Sequence, residues 1–400
     1  MFTVSKNKPL ATTITGSLPK PLWFTENLGR RPFLEAMGSD YQFREQYFDA
    51  VMAVISDQIR AGLDIVTDGD LRFDNDIGGR SWFGYLFERM DGLGDIAMRH
   101  GGSEWTAKTG NERSTKRVDA PGDILHEVME ARLPPKILGP IGRGSLQYDA
   151  VFKAAQRLTQ WPVKIGSCCG QMVHKNAVND YYEKPIDAVM AFSEALNEEY
   201  HSVADAGAQV LQVEEPCLHF VAGSAWEISL DNYVAAFNRE VAGLRNRLEV
   251  WCHTCWGNPL AQKVEANYSY EPILPYLDQL DVDVVTFETA DNKGAELEAI
   301  ASGIGMDKKI CIGGVTHRTL QVESPDEVAS LLRRALEFIE PDRLLISSDC
   351  GFGRQGMSRL HAFYKMVSLV KGVNLVRKEL GFETTVAPAA LGRYDFLTPG

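Results

Sequence analysis

Basic runs are absent from this 400-residue chain, and 54 Asp and Glu outnumber 41 Lys and Arg for a formal charge of −13. That balance disfavours nucleic acid or an anionic membrane surface as a main partner. No apolar segment reaches the ~18–20 residues that a membrane span needs, and the opening MFTVSKNKPLATT lacks the apolar centre of a secretory signal. A cytoplasmic protein is expected. Cysteine is scarce and odd in number, seven in all. This does not suggest a disulfide framework, and a reducing compartment leaves thiols free for metal or catalysis. No linker and no low-complexity tract marks a second domain.

What the chain has is alternation. Short β-rich runs occur at TTITGS (12–17), DIVTDG (64–69), VKIGSCCG (163–170), VLQVEEP (210–216), VWCHTC (250–255), VVTFETA (284–290), KICIGGV (309–315) and LLISSDCG (344–351). Most are continuously apolar, as parallel strands covered by helices are. Helical spacing of apolar residues fills 47–62 and 187–207 between them. The stretch 324–339 opens with a Ser cap, a first-turn Pro and acids, and a last helix is expected over 358–380. RAGLDIVTDGD and DAGAQVLQVEE echo one another, each a helix end, a Gly and a strand closing on acids.

Eight strands, each followed by a helix, predict an α/β fold of the (β/α)8 TIM-barrel type, a single catalytic domain over 1–400. An open doubly wound sheet is the rival, but no glycine-rich dinucleotide fingerprint follows the first strand. Residues 71–135 are long, polar and glycine-rich, and KILGPIGRG (136–144) reads as a hairpin or arm. The region of about 71–145 is therefore expected as an insertion over the C-terminal mouth.

Barrel chemistry sits at the C-terminal ends of strands. Those ends carry Ser17, Asp68, Asp70, Cys168, Cys169, Glu214, Glu215, His253, Cys255, Glu288, His317, Asp349 and Cys350. Residues two apart in a strand share a face, so His253 and Cys255 point one way and Cys252 the other. Glu288 and Cys350 come from two further ends. Two thiolates, an imidazole and a carboxylate suit tetrahedral Zn²⁺. Their net negative charge makes a poor hydroxide generator and a better holder of an incoming thiol. Cys252, Cys217 and Cys311 read as packing residues. Cys168 and Cys169 are either packing residues or a redox pair.

These motifs together, with TTITGSLPKP, DIVTDGDLRFDN, AGAQVLQVEEPCL, the HTC motif, DVVTFETADNKG and SSDCGFGRQG in order, resemble the catalytic barrel of cobalamin-independent methionine synthase and its shorter relatives. The resemblance spans nearly the whole chain. It implies His253, Cys255, Glu288 and Cys350 as zinc ligands, Ser17 near the amino-acid carboxylate, and Asp70 with Glu214 around the ammonium group of homocysteine. Glu215 joins the implied substrate-binding residues, and His317 is the candidate catalytic acid. The implied reaction transfers a methyl group to a zinc-bound homocysteine thiolate and gives methionine.

This chain departs from the family in several places. Asp70 stands where the family shows Glu, and Glu214 where it shows Asp. CCGQMVHKNAV replaces a segment that carries a folate-packing tryptophan. His317 and Thr319 fall at positions of a family Asp and a catalytic His. The partners implied are a small-molecule thiol and a methyl donor, either a folate or a corrinoid protein, with a homodimer as the assembly allowed for. The alternative is alkyl transfer to another thiol, as in epoxyalkane:coenzyme M transferases, with Arg72, Arg318 and Arg354 as candidates for a sulfonate. A silent barrel with structural zinc and a metal-free decarboxylase of the porphyrinogen type are further alternatives. Ligands drawn from three separate strands, one of them a carboxylate, count against the first. The decarboxylase has no need of the H-x-C pair.

Overall fold

Apolar runs with β-branched residues fold here into ten strands among the described residues. They are β1 (Val66–Thr67), β2 (Asp91–Gly94), β3 (Lys136–Gly142), β4 (Val163–Cys168), β5 (Val178–Asn179), β6 (Val210–Glu214), β7 (Glu249–His253), β8 (Val284–Phe287), β9 (Lys309–Val315) and β10 (Leu344–Ser348). A computed structural model of the chain describes residues 3–73, 80–94, 135–214, 218–219, 228–258, 261, 263, 269–353 and 356–391. One sheet runs β1-β4-β6-β7-β8-β9-β10, and every pairing in it is parallel.

The run at 12–17, expected as a strand, makes only an isolated parallel bridge, Thr12 with Ile346. The reason is local. The Asp64 carboxylate takes both the N–H and the hydroxyl of Thr12, each at 2.9 Å, in place of a regular ladder. The segment still joins both edges of the sheet. Thr13 donates to the Ile346 carbonyl at 3.0 Å, Ile346 donates to Ala11 at 2.9 Å, and Asp64 and Ile65 both donate to Thr12 at 3.1 Å. It is the eighth stave, and it closes a (β/α)8 ring.

Alternation sorts the side chains. Val250 and Cys252 of β7 pack outward into the main core beneath the helices. Trp251 packs inward with Ala11, Ile65, Val210, Val284, Cys311 and Leu345. Below this layer Glu249 accepts the Trp251 indole N–H at 3.0 Å and the backbone N–H groups of Thr3, Val4 and Ser5 at 2.6, 2.5 and 2.7 Å. The bottom of the barrel is plugged, so only the C-terminal mouth is left for chemistry.

Helices Tyr41–Ala61, Pro185–Asp205, Pro325–Ala335 and Arg359–Glu379 cover the sheet. The first starts earlier than its apolar spacing suggests because Asp40 caps it, accepting the Phe43 N–H at 3.0 Å. Ser324 and Glu327 form a reciprocal capping box on the third. Of the expected insertion, residues 74–79 and 95–134 lie outside the described residues. KILGPIG forms β3, antiparallel to β2 and parallel to β5 in a small separate sheet. No helix of the described residues is long and apolar enough to cross a membrane.

One contact fixes the rim where β8, β9 and β10 end. The buried Asp349 carboxylate accepts the N–H groups of Thr289, Ala290 and Asp291 at 2.8, 2.8 and 2.9 Å. It fits only because residue 313 of β9 has no side chain; a Cβ there would lie 1.8 Å from Asp349 Oδ1. Gly313→Ala should therefore destabilise the protein by about 3 kcal/mol, read as a lower urea midpoint at unchanged slope. A loss below about 0.5 kcal/mol, the scatter of a neutral surface change, would contradict this packing.

Candidate metal and substrate site

His253 closes β7 on the barrel interior, in phase with Trp251, and Cys255 follows two residues on. The turn between them is pinned to β8: the Thr254 N–H and hydroxyl both donate to the Thr286 carbonyl, at 2.9 and 3.0 Å. Cys350 arrives from the end of β10. Its loop lies on the loop after the eighth stave, where the Phe352 and Gly353 N–H groups donate to the Ser17 carbonyl at 2.7 and 3.0 Å. That approach requires Gly16, which has φ +69° and would bring a Cβ to 2.8 Å from the Gly351 nitrogen.

The three side chains meet. One donor atom each of His253, Cys255 and Cys350 lies within 4.8 Å of the others, and all three residues are buried. The two sulfurs are 4.0 Å apart, close to the ~3.8 Å that two Zn–S bonds of ~2.3 Å span at a tetrahedral angle. Neither ring nitrogen of His253 has a hydrogen-bond partner, although the residue is 0% exposed. A buried imidazole without a partner is costly, and a metal would relieve that cost. The trio fits zinc.

The fourth expected ligand, Glu288, follows β8, and its charge acts on Cys255 and His317. Glu288 is not in this group. Its carboxylate is gripped by Arg318, Nε to Oε1 at 2.7 Å and a terminal nitrogen to Oε2 at 2.8 Å, and Oε2 also accepts the Trp256 N–H at 3.1 Å. The backbone of Glu288 is held as well, its N–H donating to the Tyr270 hydroxyl oxygen at 3.0 Å.

Electrostatics follow from burial and from the charged groups that face one another at the mouth. The Cys255 thiol beside it, then His253 and His317, hold Cys350 well below the usual thiol range. Cys255 is pushed up by its neighbour Cys350 and by burial. His253 is raised, since Glu214 and Cys350 together outweigh its burial. Burial lifts Glu214 to about 7 and lowers His317 to about 4. Both ring nitrogens of His317 are also unpartnered.

The other expected residues surround this trio. Glu214 Oε2 is 3.6 Å from His253 Nε2, and the Asp70 and Cys350 charges both act on Glu214. Asp70 adopts a left-handed φ of 54° and accepts from Arg72 at 2.9 Å. Arg72 also reaches Asp68 at 3.2 Å and lies 4.4 Å from the Phe73 ring centroid. Ser17 and Asp70 line a cavity of about 860 Å³ whose walls include Trp23, Phe73, Phe363 and Tyr364. Thr319 is exposed. Glu215, Cys217 and Arg354 lie outside the described residues. Cys168 and Cys169 both pack in the main core.

Sequence reasoning passed over Asn258. Asn258 donates to Cys350 Sγ at 3.5 Å and to the Gly351 carbonyl at 3.0 Å. Arg318, a candidate for a sulfonate or a salt bridge in the sequence, makes the salt bridge, with Glu288. An arginine directly after a strand-end His, level with an acid at the neighbouring strand end, is the signal that was available.

Metal binding must displace the Cys255 proton, so acid should oppose it. Apparent zinc affinity, measured by chelator competition, is expected to fall by at least about tenfold per pH unit below neutrality. An affinity independent of pH between 5 and 7 would contradict this ligand set.

Comparison with known proteins identifies the family. A profile of the family described as cobalamin-independent synthase, catalytic domain, matches residues 122–371. A methionine synthase of Saccharolobus islandicus is 28% identical over 380 residues, covering 94% of this chain and 98% of that protein. In fold, the chain is similar to a B12-independent methionine synthase from Shewanella sp. W3-18-1, solved with selenomethionine. The TM-score is 0.69 at 24% identity, over 93% of this chain and 99% of that one. A methyltransferase from Methanosarcina mazei shares the fold at a TM-score of 0.52 and 13% identity, over 92% and 94% of the two chains. With well over half of its length matched by the profile, the chain belongs to the cobalamin-independent methionine synthase catalytic-domain family.

Proposed function

We propose that this chain methylates the sulfur of homocysteine to give methionine, with zinc held by His253, Cys255 and Cys350 in a single catalytic domain. The observation that carries the reading is the buried trio of soft donors beside two carboxylates at one barrel mouth. When bound there, zinc supplies a Lewis acid that makes a coordinated thiol acidic near neutral pH. The chain's own residues do the rest. Asp70 and Glu214 flank the substrate ammonium, whose charge would draw a proton off Glu214. Ser17, across the cavity mouth, faces the carboxylate end of the amino acid. Glu215 remains a substrate-binding candidate from the sequence pattern alone.

The chemical balance is simple. The thiol gives up its proton, the sulfur pair forms the new S–C bond, and the donor–methyl bond breaks with its pair left on the donor. His317 remains the candidate catalytic acid near Cys350, although burial lowers it to about 4. The donor is a folate or a corrinoid protein, reached through the aromatic-walled cavity above Asp70. The reading with coenzyme M as acceptor needs a cation for its sulfonate. Both described candidates are already committed, Arg72 to Asp68 and Asp70 and Arg318 to Glu288, which favours homocysteine.

The test is direct. Zinc-loaded protein is incubated with homocysteine and either methyltetrahydrofolate or methylcobalamin, and methionine is quantified by mass spectrometry. Cys350→Ser should lose stoichiometric zinc and at least about 100-fold in kcat/KM. Full zinc occupancy and an undiminished rate in that variant would sink the proposal.

A further inference from the structure

Alternation puts a lysine inside the barrel. Val163 and Ile165 of β4 pack outward in the main core, as do Leu211 and Val213 of β6. Lys164, Gln212 and Glu214 therefore point inward. Along β6 the inward column runs Val210, Gln212, Glu214, from the plugged interior to the mouth. Lys164 is 2% exposed. Among the described residues its ammonium makes no ion pair. It donates to Gln212 Oε1 at 2.6 Å and lies 4.8 Å from the Trp251 ring centroid. Burial lowers it to about 8, against the charges of Cys311, Glu214 and Asp70, so it keeps its own charge at neutral pH. A buried cation without a carboxylate partner costs stability. Such a cost is usually tolerated beside a functional site.

The hydrogen bonds show what the lysine does there. An ammonium only donates and a carboxylate only accepts. Gln212 stands between one of each. Its Oε1 takes the lysine N–H, and its Nε2 donates to Glu214 Oε1 at 3.1 Å. Lys164 thus decides which end of the amide faces the acid. Glu214 Oε1 is held from below by a fixed donor, and Oε2 is left at the mouth, 3.6 Å from His253 Nε2. Without the lysine the amide is free to turn its carbonyl toward Glu214, and a carbonyl oxygen repels a carboxylate.

We propose that Lys164 is a positioning residue for the substrate's amino group: through Gln212 it holds the Glu214 carboxylate in the orientation that meets the ammonium. This rests on the role given to Glu214 above. It makes a side chain two steps below the substrate a determinant of selectivity for amino-acid thiols over thiols without an amino group.

Binding alone tests this, without a methyl donor. Calorimetric affinities of the zinc-loaded protein are measured for homocysteine and for 4-mercaptobutanoate, which is homocysteine without its amino group. The proteins are the parent, Lys164→Met and the double variant Lys164→Met with Gln212→Leu. Lys164→Met should weaken homocysteine by about tenfold, the worth of one oriented charge-assisted hydrogen bond, and leave 4-mercaptobutanoate unchanged. The double variant should match the single one, because the lysine acts only through the amide. Its urea midpoint should equal or exceed that of the parent, since both polar partners leave the interior together.

Equal losses for the two thiols would overturn the proposal, because they would mark general damage to the site. Tighter homocysteine binding in Lys164→Met would overturn it as well, since the lysine would then act only by repelling the substrate's charge. So would unchanged binding. Should Lys164→Met fail to fold, the double variant carries the same expected ratio. A parent that binds both thiols equally would refute the ammonium role of Glu214, and one that binds neither would refute the proposed function; the role of Lys164 falls with either.

Discussion

Two sulfurs 4.0 Å apart, with a buried imidazole whose ring nitrogens make no hydrogen bond, set the terms for the rest of this molecule. Holding two thiols and a histidine so close in a water-poor interior is unfavourable without a cation to neutralise them. Most of the unusual features at the rim serve that convergence. Thr254 pins the H-x-C turn to β8, Gly16 lets the Cys350 loop approach the loop of Ser17, and Asp349 laces β10 to the segment after Glu288. The barrel supplies rigidity: Trp251 fills its lower interior and Glu249 binds the N-terminal turn beneath.

Around the donor trio the acids are distributed rather than pooled. Asp70 is shared with Arg72, and Glu288 is matched by Arg318. Glu214 faces the His253 ring instead, at 3.6 Å, and burial lifts it to about 7. The carboxylate beside His253 is therefore the one most responsive to an arriving ammonium group. In the reading adopted here this asymmetry has a use. The arginine-bound acids keep their place, while Glu214 changes protonation state with substrate.

The barrel was legible because its strands are continuous apolar runs and its helices carry ordinary caps; KICIGGV and LLISS became β9 and β10. Parity alone put His253 and Cys255 on one face and Cys252 on the other. The first stave was harder to read. Its hydrogen bonds are intercepted by the side chain of Asp64, which no local pattern reveals. The placement of Glu288 was also hidden, since sequence gives the strand end on which a carboxylate sits and not the neighbour that claims it. Arg318 comes from the loop after β9 and its grip depends on the rim geometry. Asn258 owes its role to a turn rather than to any periodicity.

The central claim is that the His253, Cys255 and Cys350 centre takes up an outside sulfur. Zinc X-ray absorption with and without homocysteine tests it most directly. The account predicts two sulfur neighbours in the resting protein and three once homocysteine is added, with a nitrogen neighbour in both. A first shell that stays the same on saturation with the thiol, or one that lacks sulfur from the start, would contradict it.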